Sequence, residues 1–496
     1  MGIIQKQSIR STIIILLGFS LGAFNMLVLV PKIITPEQLG LTRLIADAAI
    51  TLATLCTFGS LSVVNKFFPF YKSYLPPKKN DLPFLSLVIC LVGFAIICIS
   101  GYLGKDIIFR KFSERSPLFV EYSYLVYPFC LFLLLFMWME SFSWALHKSV
   151  LSNTLREVLP RSLFTVILIL FFFSLLSFKS FLYIYSFSYL IPGTILFILL
   201  RKTGFFNFTT ELSAQTIRLK GKMINFGLFV FGAQFLNLLS RTIDTFILSS
   251  KGSRGLTDTA VFTIATYIIT LMEVPQRSMN SAAIPVIAES WKNKDLKNIS
   301  HVYKRSVTNL LIIGLAMFGL IWLNINNIAG FLGKNYAGIE SIVLIMGLGK
   351  LIDLGTGANG QIIGTSSFWK VDFATNVIYT ILALPLNYFL ISKYGLHGAA
   401  VSFLISLTFY NLLRFGFLKI KFNLQPYVIK DLFAIILAIS SAAIAYAIPV
   451  FPSSYADMVV RSSVFLGIFI PLIYFSNISV EINTILKTYL NKFFSS

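Results

Sequence analysis

Residues 83–103, PFLSLVICLVGFAIICISGYL, run for 21 positions without one charged side chain. A helix of that length is about 31 Å long, which matches the hydrocarbon core of a bilayer. Basic residues bracket the run, with Lys78 and Lys79 before it and Lys105, Arg110 and Lys111 after it. Working outward, apolar runs separated by charged or turn-forming stretches recur at 11–31, 42–65, 119–144, 157–178, 181–200, 223–249, 257–283, 305–324, 339–364, 371–392, 396–417, 431–449 and 457–475. Composition agrees: 56% of the 496 residues are apolar, only 12% are charged, and the mean hydropathy is +0.80. A soluble domain carries roughly 25% charge. At roughly 20 apolar residues per span the chain fills about fourteen spans, with no room for a large soluble domain. The expected fold is an all-α polytopic membrane protein of about 14 transmembrane helices.

Fourteen spans put both termini on one side. With the termini inside, 26 Lys and Arg fall in inner segments and 12 in outer ones, while Arg241, Arg277 and Lys350 stay within spans. That asymmetry places the termini in the cytoplasm, and it explains the net charge of +21 without nucleic acid. One outer loop dissents: 104–118 holds Lys105, Arg110, Lys111 and Arg115 against two acids. The N-terminal apolar run is too long for a signal-peptide core and has no A-x-A site after it, so it is expected to remain as the first span. The spans divide as six, six and two. This gives an N-terminal lobe at 1–204, a cytoplasmic connector at 205–222, a C-terminal lobe at 223–421, two extra helices at 422–476 and an amphipathic cytoplasmic tail at 477–496. Internal repetition is faint. The second helix of each half is expected to end at a Pro motif, FFPFY (67–71) and AAIPVI (282–287).

Catalytic motifs fail on context. Gly18-Phe19-Ser20-Leu21-Gly22 matches G-x-S-x-G, but it lies inside the first span, where no strand–turn–helix elbow can form; close helix packing accounts for it better. The glycines of MGLGKLIDLGTGANGQ (346–361) lack the GK[ST] ending of a phosphate loop. His147, His301 and His397 are scattered, and Cys56, Cys90, Cys98 and Cys130 sit in apolar runs without CxxC spacing. No catalytic residue, cofactor or metal site is expected. The outer loops are also short, which argues against a membrane glycosyltransferase or polymerase.

The informative residues are charges within spans. Such groups are costly unless they face a cavity or a partner. Arg241 and Asp244 are i,i+3, Glu273 and Arg277 are i,i+4, and Lys350 and Asp353 are i,i+3, so each pair shares a helix face. These pairs can serve merely to ease insertion. Counted along their spans, however, the three cations lie at different depths, which suits an anionic head group crossing the bilayer. The glycines around Lys350 suggest a broken helix lining a cavity. In the first half, Asp47 is either paired with Arg43 or Arg241 or protonated, and is a candidate for ion coupling. Glu140, near Trp138 and Trp144, is expected at the membrane interface.

Three stretches carry a family resemblance: VLVPKIITPEQLGLTRLIADAAITLATLCTFGSLSVVNKFFPFY (28–71), SRTIDTFILSSKGSRGLTDTAVFTIATYIITLMEVPQRSMNSAAIPVIAESW (240–291), and FLGKNYAGIESIVLIMGLGKLI (331–352) with NYFLISKYGLHGAAVSF (387–403). With these the chain resembles the polysaccharide transporters of the multidrug/oligosaccharidyl-lipid/polysaccharide exporter superfamily, the lipid-linked O-antigen and capsule flippases. Val261-Phe262 departs from the Gly-x-Tyr often seen there. The resemblance implies two six-helix lobes around a central cavity, two appended helices, and alternating access in the bacterial inner membrane. It also implies a substrate of undecaprenyl-pyrophosphate-linked oligosaccharide, moved from the cytoplasmic to the outer leaflet, with polysaccharide polymerase or export machinery as possible partners. On that reading Arg241, Arg277 and Lys350 contact the pyrophosphate, while Asp244, Glu273 and Asp353 orient them in the empty protein. A peptidoglycan lipid-precursor flippase and a drug/cation antiporter of the same superfamily are the alternatives, the latter disfavoured by the paired cations. Reporter fusions should read cytoplasmic in 66–82, 201–222 and 284–304, and external in 104–118 and 325–338. A cytoplasmic signal from 104–118 would reverse the topology.

Overall fold

The apolar runs become helices. The computed structural model describes residues 14, 17–146, 148–204, 206, 208–484 and 486–487, and no strand occurs among them. Nine of the described helices are individually long and apolar enough to cross a membrane, and two bent pairs raise that to eleven. The chain divides by its internal contacts into Met1–Ala260 and Val261–Ser496.

The first unit opens with α1 (Leu17–Ile33), and a capping box then starts α2 (Pro36–Cys56). Thr35 Oγ1 accepts from the Gln38 amide at 3.2 Å, and the Gln38 side chain accepts from the Thr35 amide at 3.0 Å. Pro36 occupies the first turn, where its missing N–H is not needed. Phe58 and Gly59 then take positive φ of 44° and 77°, and α3 (Ser60–Tyr74) continues in a new direction. The second span is therefore two helices, and it runs through Pro69 to Tyr74 rather than ending at FFPFY. Next come α4 (Leu82–Leu103), the short α5 (Lys105–Phe112), α6 (Pro117–Ala145), α7 (Ser149–Glu157), α8 (Leu159–Phe172) and α9 (Phe178–Arg201). Helix α10 (Ala214–Lys251) then has 38 residues, about 57 Å and longer than a bilayer is thick. Thus much of the expected 205–222 connector is helical. Ser213 caps α10 by accepting from the Thr216 amide. Buried Asp81 anchors that cap, accepting from the Ser213 amide at 2.9 Å and from Thr216 Oγ1 at 2.7 Å.

The core of this unit is aromatic. Helix α6 packs on α2, α3 and α9, with Phe68, Phe136, Phe142 and Phe181 fully enclosed. Trp138 stacks against Phe142 and Phe206 and donates its indole N–H to Ser86 Oγ at 2.9 Å. Gly18 and Gly22 lie against the Glu157 carbonyl and the Arg161 side chain, so the G-x-S-x-G pattern makes a close helix contact.

Helix α11 (Leu256–Thr270) crosses the division. Beyond it lie α12 (Glu273–Lys292), α13 (Leu296–Leu323), α14 (Ile325–Leu332), α15 (Ile339–Leu354), α16 (Asn359–Thr365), α17 (Trp369–Phe422), α18 (Ile429–Tyr446) and α19 (Ser454–Phe475). Helix α12 also runs on through its proline, Pro285, so the Pro motifs lie within helices in both halves. The 54 residues of α17 are two spans joined at Gly395, whose φ of 56° and ψ of −130° reverse the chain. A Cβ at Gly398 would meet the Leu390 carbonyl at 2.0 Å, so this corner needs glycine at both positions. The appended α18 and α19 pack on α13 through Ala434, Ala438, Phe465 and Phe469 against Leu311, Ile312 and Leu315. Half of the tail expected at 477–496 lies outside the described residues.

The bend at Gly59 is the testable point of this packing, because a Cβ there would sit 2.1 Å from the Gly227 carbonyl of α10. Gly59→Val should lower the thermal midpoint of the purified protein, at a cost of about 2 kcal/mol or more from left-handed strain and the clash. Gly221→Ala, in a helix with open space around it, should be neutral or slightly stabilising.

Candidate functional site

The second unit contains two broken spans, and their breaks meet. Pro275 cannot continue the ladder of α11, because its ring would collide with the carbonyl four residues earlier. The helix stops at Thr270, and α12 starts at Glu273 after a 47° bend. A carboxylate suits that position, since the amides of a helix start point toward it. In the other span α15 ends at Leu354, Gly355–Ala358 are not helical, and α16 leaves at 46°. Backbone freed from a helix at membrane depth must be covered by protein or line a cavity. Polar side chains gather here. Thr356 Oγ1 donates to Asn411 Oδ1 at 2.7 Å, and Asn359 Nδ2 donates to the same oxygen at 2.9 Å.

Lys350 lies at the centre, with 7% of its side chain exposed. Its Nζ contacts Glu273 Oε1 at 3.0 Å and Asp353 Oδ2 at 2.8 Å. Asp353 is further held by Asn411 Nδ2 at 3.0 Å and Gln276 Nε2 at 3.2 Å. The second oxygen of Glu273 takes Arg277 Nη2 at 2.9 Å, and 62% of the Arg277 side chain is exposed. Two of the expected ion pairs are therefore one cluster. Lys350 and Arg277 share a carboxylate, so they are not stations at separate depths. The sequence counted depth along continuous helices, and the two breaks bring the spans together instead. The cluster offers one guanidinium open for contact and one ammonium that an incoming anion can take from its carboxylates.

The remaining charges lie elsewhere. Asp244 is partly buried on α10, whereas the side chain of Arg241 lies outside the described ones. Buried Asp47 accepts from Arg43 Nε at 2.8 Å and from Thr245 Oγ1 at 2.7 Å, so Arg43 is one of its partners. Glu140 is buried near the end of α6, and its Oε2 pairs with Arg156 Nη1 at 2.7 Å. The sequence reading missed Gln276, Asn411, Thr356 and the bridge from Lys350 to Glu273. A lone Asn within LISLTFYNLLRF (404–415) was the available signal, but spacing rules within one helix cannot show a contact between two.

The chain shares its fold with solved transporters of the multidrug/oligosaccharidyl-lipid/polysaccharide (MOP) superfamily. It is similar to a lipid II flippase, MurJ, in an inward closed conformation, with a TM-score of 0.72 and 16% identity over 94% of this chain and 99% of that one. An inward-facing multidrug resistance MATE family transporter of the MOP superfamily has a TM-score of 0.65 and 17% identity, over 82% and 94%. A MOP superfamily transporter from Pyrococcus furiosus, described by a reverse polarity of its binding pocket, has a TM-score of 0.58 and 15% identity, over 85% and 96%. No curated protein matches the sequence. A MatE family model matches residues 230–389. The polysaccharide biosynthesis protein family matches residues 8–291, more than half of the chain, and the chain belongs to that family.

Removing the buried cation alone leaves two carboxylates facing each other. Lys350→Met should therefore destabilise the purified protein by about 3–5 kcal/mol. Adding Glu273→Gln and Asp353→Asn should restore most of the lost thermal midpoint, because the one charge of the cluster then left, Arg277, is largely exposed.

Proposed function

We propose that the protein is a flippase for undecaprenyl-pyrophosphate-linked oligosaccharide, an O-antigen, capsule or exopolysaccharide unit. It carries this lipid from the cytoplasmic to the outer leaflet of a bacterial inner membrane by alternating access, with both termini in the cytoplasm. The observation that carries this reading is Lys350, an ammonium enclosed in a span, shared between carboxylates of two broken helices and adjoined by Arg277. A diphosphate needs cationic partners, and Arg adds a fork that matches phosphate oxygens. Membership of the polysaccharide biosynthesis protein family supports a glycan as the attached cargo. In the empty protein Glu273 and Asp353 hold the cations in place. When the substrate enters, its phosphates replace those carboxylates. Arg241 and Asp244 are proposed as a second such pair, and Asp47, held by Arg43, as a candidate for ion coupling.

A second reading keeps the mechanism and changes the glycan. The likeness to a lipid II flippase extends over 94% of this chain, and a peptidoglycan precursor shares the polyprenyl-diphosphate anchor.

Deleting the gene should trap the lipid-linked glycan on the inner leaflet, with glycan synthesis intact and surface polysaccharide lost. Loss of cell-wall synthesis instead would favour the peptidoglycan precursor, and altered drug sensitivity alone would favour an antiporter. Arg277→Ala should reduce export at least tenfold, and Arg277→Lys should retain part of it. The triple variant Lys350→Met, Glu273→Gln, Asp353→Asn separates contact from scaffolding. If it inserts at normal level and exports fully, Lys350 does not contact substrate.

A further inference from the structure

The basic loop at 104–118 is not used by the transport site. Helix α5 fills most of it, lying between the exposed end of α4 and the start of α6. It turns Ile108 and Phe112 inward, and Phe112 packs edge-on against Phe119 with ring centroids 5.0 Å apart. The outer side combines apolar and cationic groups: Ile107 is 53% exposed and Phe109 61%, next to exposed Arg110 and Lys111. No ion pair holds Lys105, Arg110 or Lys111 among the described residues, and two acids in the loop leave it with net positive charge. The far end is fixed, because Arg115 Nη1 donates to the Ser253 carbonyl at 3.2 Å and Ser116 Oγ donates to the Ser249 carbonyl at 2.6 Å. A helix with this pairing of groups suits the boundary between acyl chains and head groups.

Beside it lies a cavity of about 490 Å³, lined by Cys98, Tyr102, Lys105, Phe109, Tyr124 and Tyr127 among others. That volume is within the roughly 300–1,000 Å³ of small-molecule sites. Tyr102, Phe109, Tyr124 and Tyr127 give it an aromatic side, and Asp106 lines it beside Lys105. Tyr127 reaches it because α4 has no side chain at Gly101, where a Cβ would fall 1.8 Å from the Tyr127 hydroxyl. Lys105 stands at the cavity with its ammonium 5.5 Å from the Tyr102 ring.

We propose that α4, α5 and α6 form a binding site for one anionic phospholipid, with an acyl chain in the tyrosine-lined cavity and the head-group phosphate held by Lys105, Arg110 and Lys111 both adding to the positive field around the short helix. The occupant follows from the chemistry of the site. Lys105 stands at the largely apolar cavity, while Arg110 and Lys111 lie on other sides of the same short helix and add positive charge around it. This also accounts for a cationic loop on what the charge count makes the outer side, where positive charge otherwise has no reason to collect. Each cation near an anionic surface contributes about fivefold in affinity, so three together give about a hundredfold.

The test uses the full chain in detergent, titrated with dioleoyl phosphatidylglycerol or dioleoyl phosphatidylcholine and read by native mass spectrometry. One phosphatidylglycerol should bind per chain, at least tenfold more tightly than phosphatidylcholine. The triple variant Lys105→Gln, Arg110→Gln, Lys111→Gln should bring the two lipids to equal affinity with an unchanged thermal midpoint. Ser123→Trp, which fills the cavity from α6 and spares the cations, should weaken both lipids. Equal affinities in the unaltered protein would overturn the proposal, as would a preference that survives the triple variant. Displacement of the lipid by millimolar inorganic pyrophosphate would overturn it too, showing that the cations bind a free anion. Surface polysaccharide export serves as the independent readout. If the triple variant loses lipid preference but still exports, the lipid site and the transport site are separate.

Discussion

An ammonium within an apolar span has few ways to be stable, and much of the second unit follows from the way Lys350 achieves it. One carboxylate on the same helix would neutralise it, and Asp353 is spaced to do so. A second carboxylate, Glu273, comes from a different span. It can reach only because α11 ends two residues earlier and α12 starts at the glutamate. The charge and the broken backbone therefore depend on each other. The break supplies the reach, and the polar side chains drawn in by the charge, Asn411, Gln276 and Thr356, also satisfy groups around the break. A buried ion pair is weak evidence for stability, because hydrophobic replacement is often neutral or better. Two carboxylates on one lysine, at the joint of two spans, therefore point to function more strongly than to scaffolding.

The helices that form this joint are held by different means. On one side, α12, α13, α16 and the end of α17 close over Ile287, Tyr303, Val307 and Ile362. On another, α13 carries the appended α18 and α19, where Arg461 pairs with Asp457 and donates to the carbonyls of Ala445, Tyr446 and Ile448. That arginine satisfies the exposed end of α18, as a cation at a helix C-terminus should. In the first unit, by contrast, hydroxyls make many of the polar contacts between helices. Thr245 donates to Asp47, and Thr51 meets Thr242 across α2 and α10.

Much of the architecture was legible because hydrocarbon imposes a simple rule: a run of apolar residues long enough to span must become a helix. The residues 83–103 show it, as α4 covers Leu82–Leu103. What the rule cannot show is where a span bends. Pro69 and Pro285 looked like ends and proved to lie inside helices, while the bends fall at Phe58-Gly59 and ahead of Pro275. The pairs Glu273–Arg277 and Lys350–Asp353 were legible for the same local reason, since residues three or four apart share a face. Their union was not, because it depends on two bends and a contact between spans. The partner of Glu140 was not legible either, since Arg156 comes from α7, sixteen residues on.

The site also has an electrical consequence. Lys350 and Arg277 carry two positive charges and Glu273 and Asp353 two negative ones, so the empty cluster sums to zero. A rearrangement of the empty protein that moves this joint through the membrane field does no net electrical work on it. A bound dianion changes that balance, because each charge moved across the membrane is worth about 2.3 kcal/mol per 100 mV. If the proposed lipid diphosphate is that dianion and the cell interior is negative, the field would drive the loaded site outward and leave the empty one free to return. Four side chains at one joint would thus be sufficient to rectify the cycle.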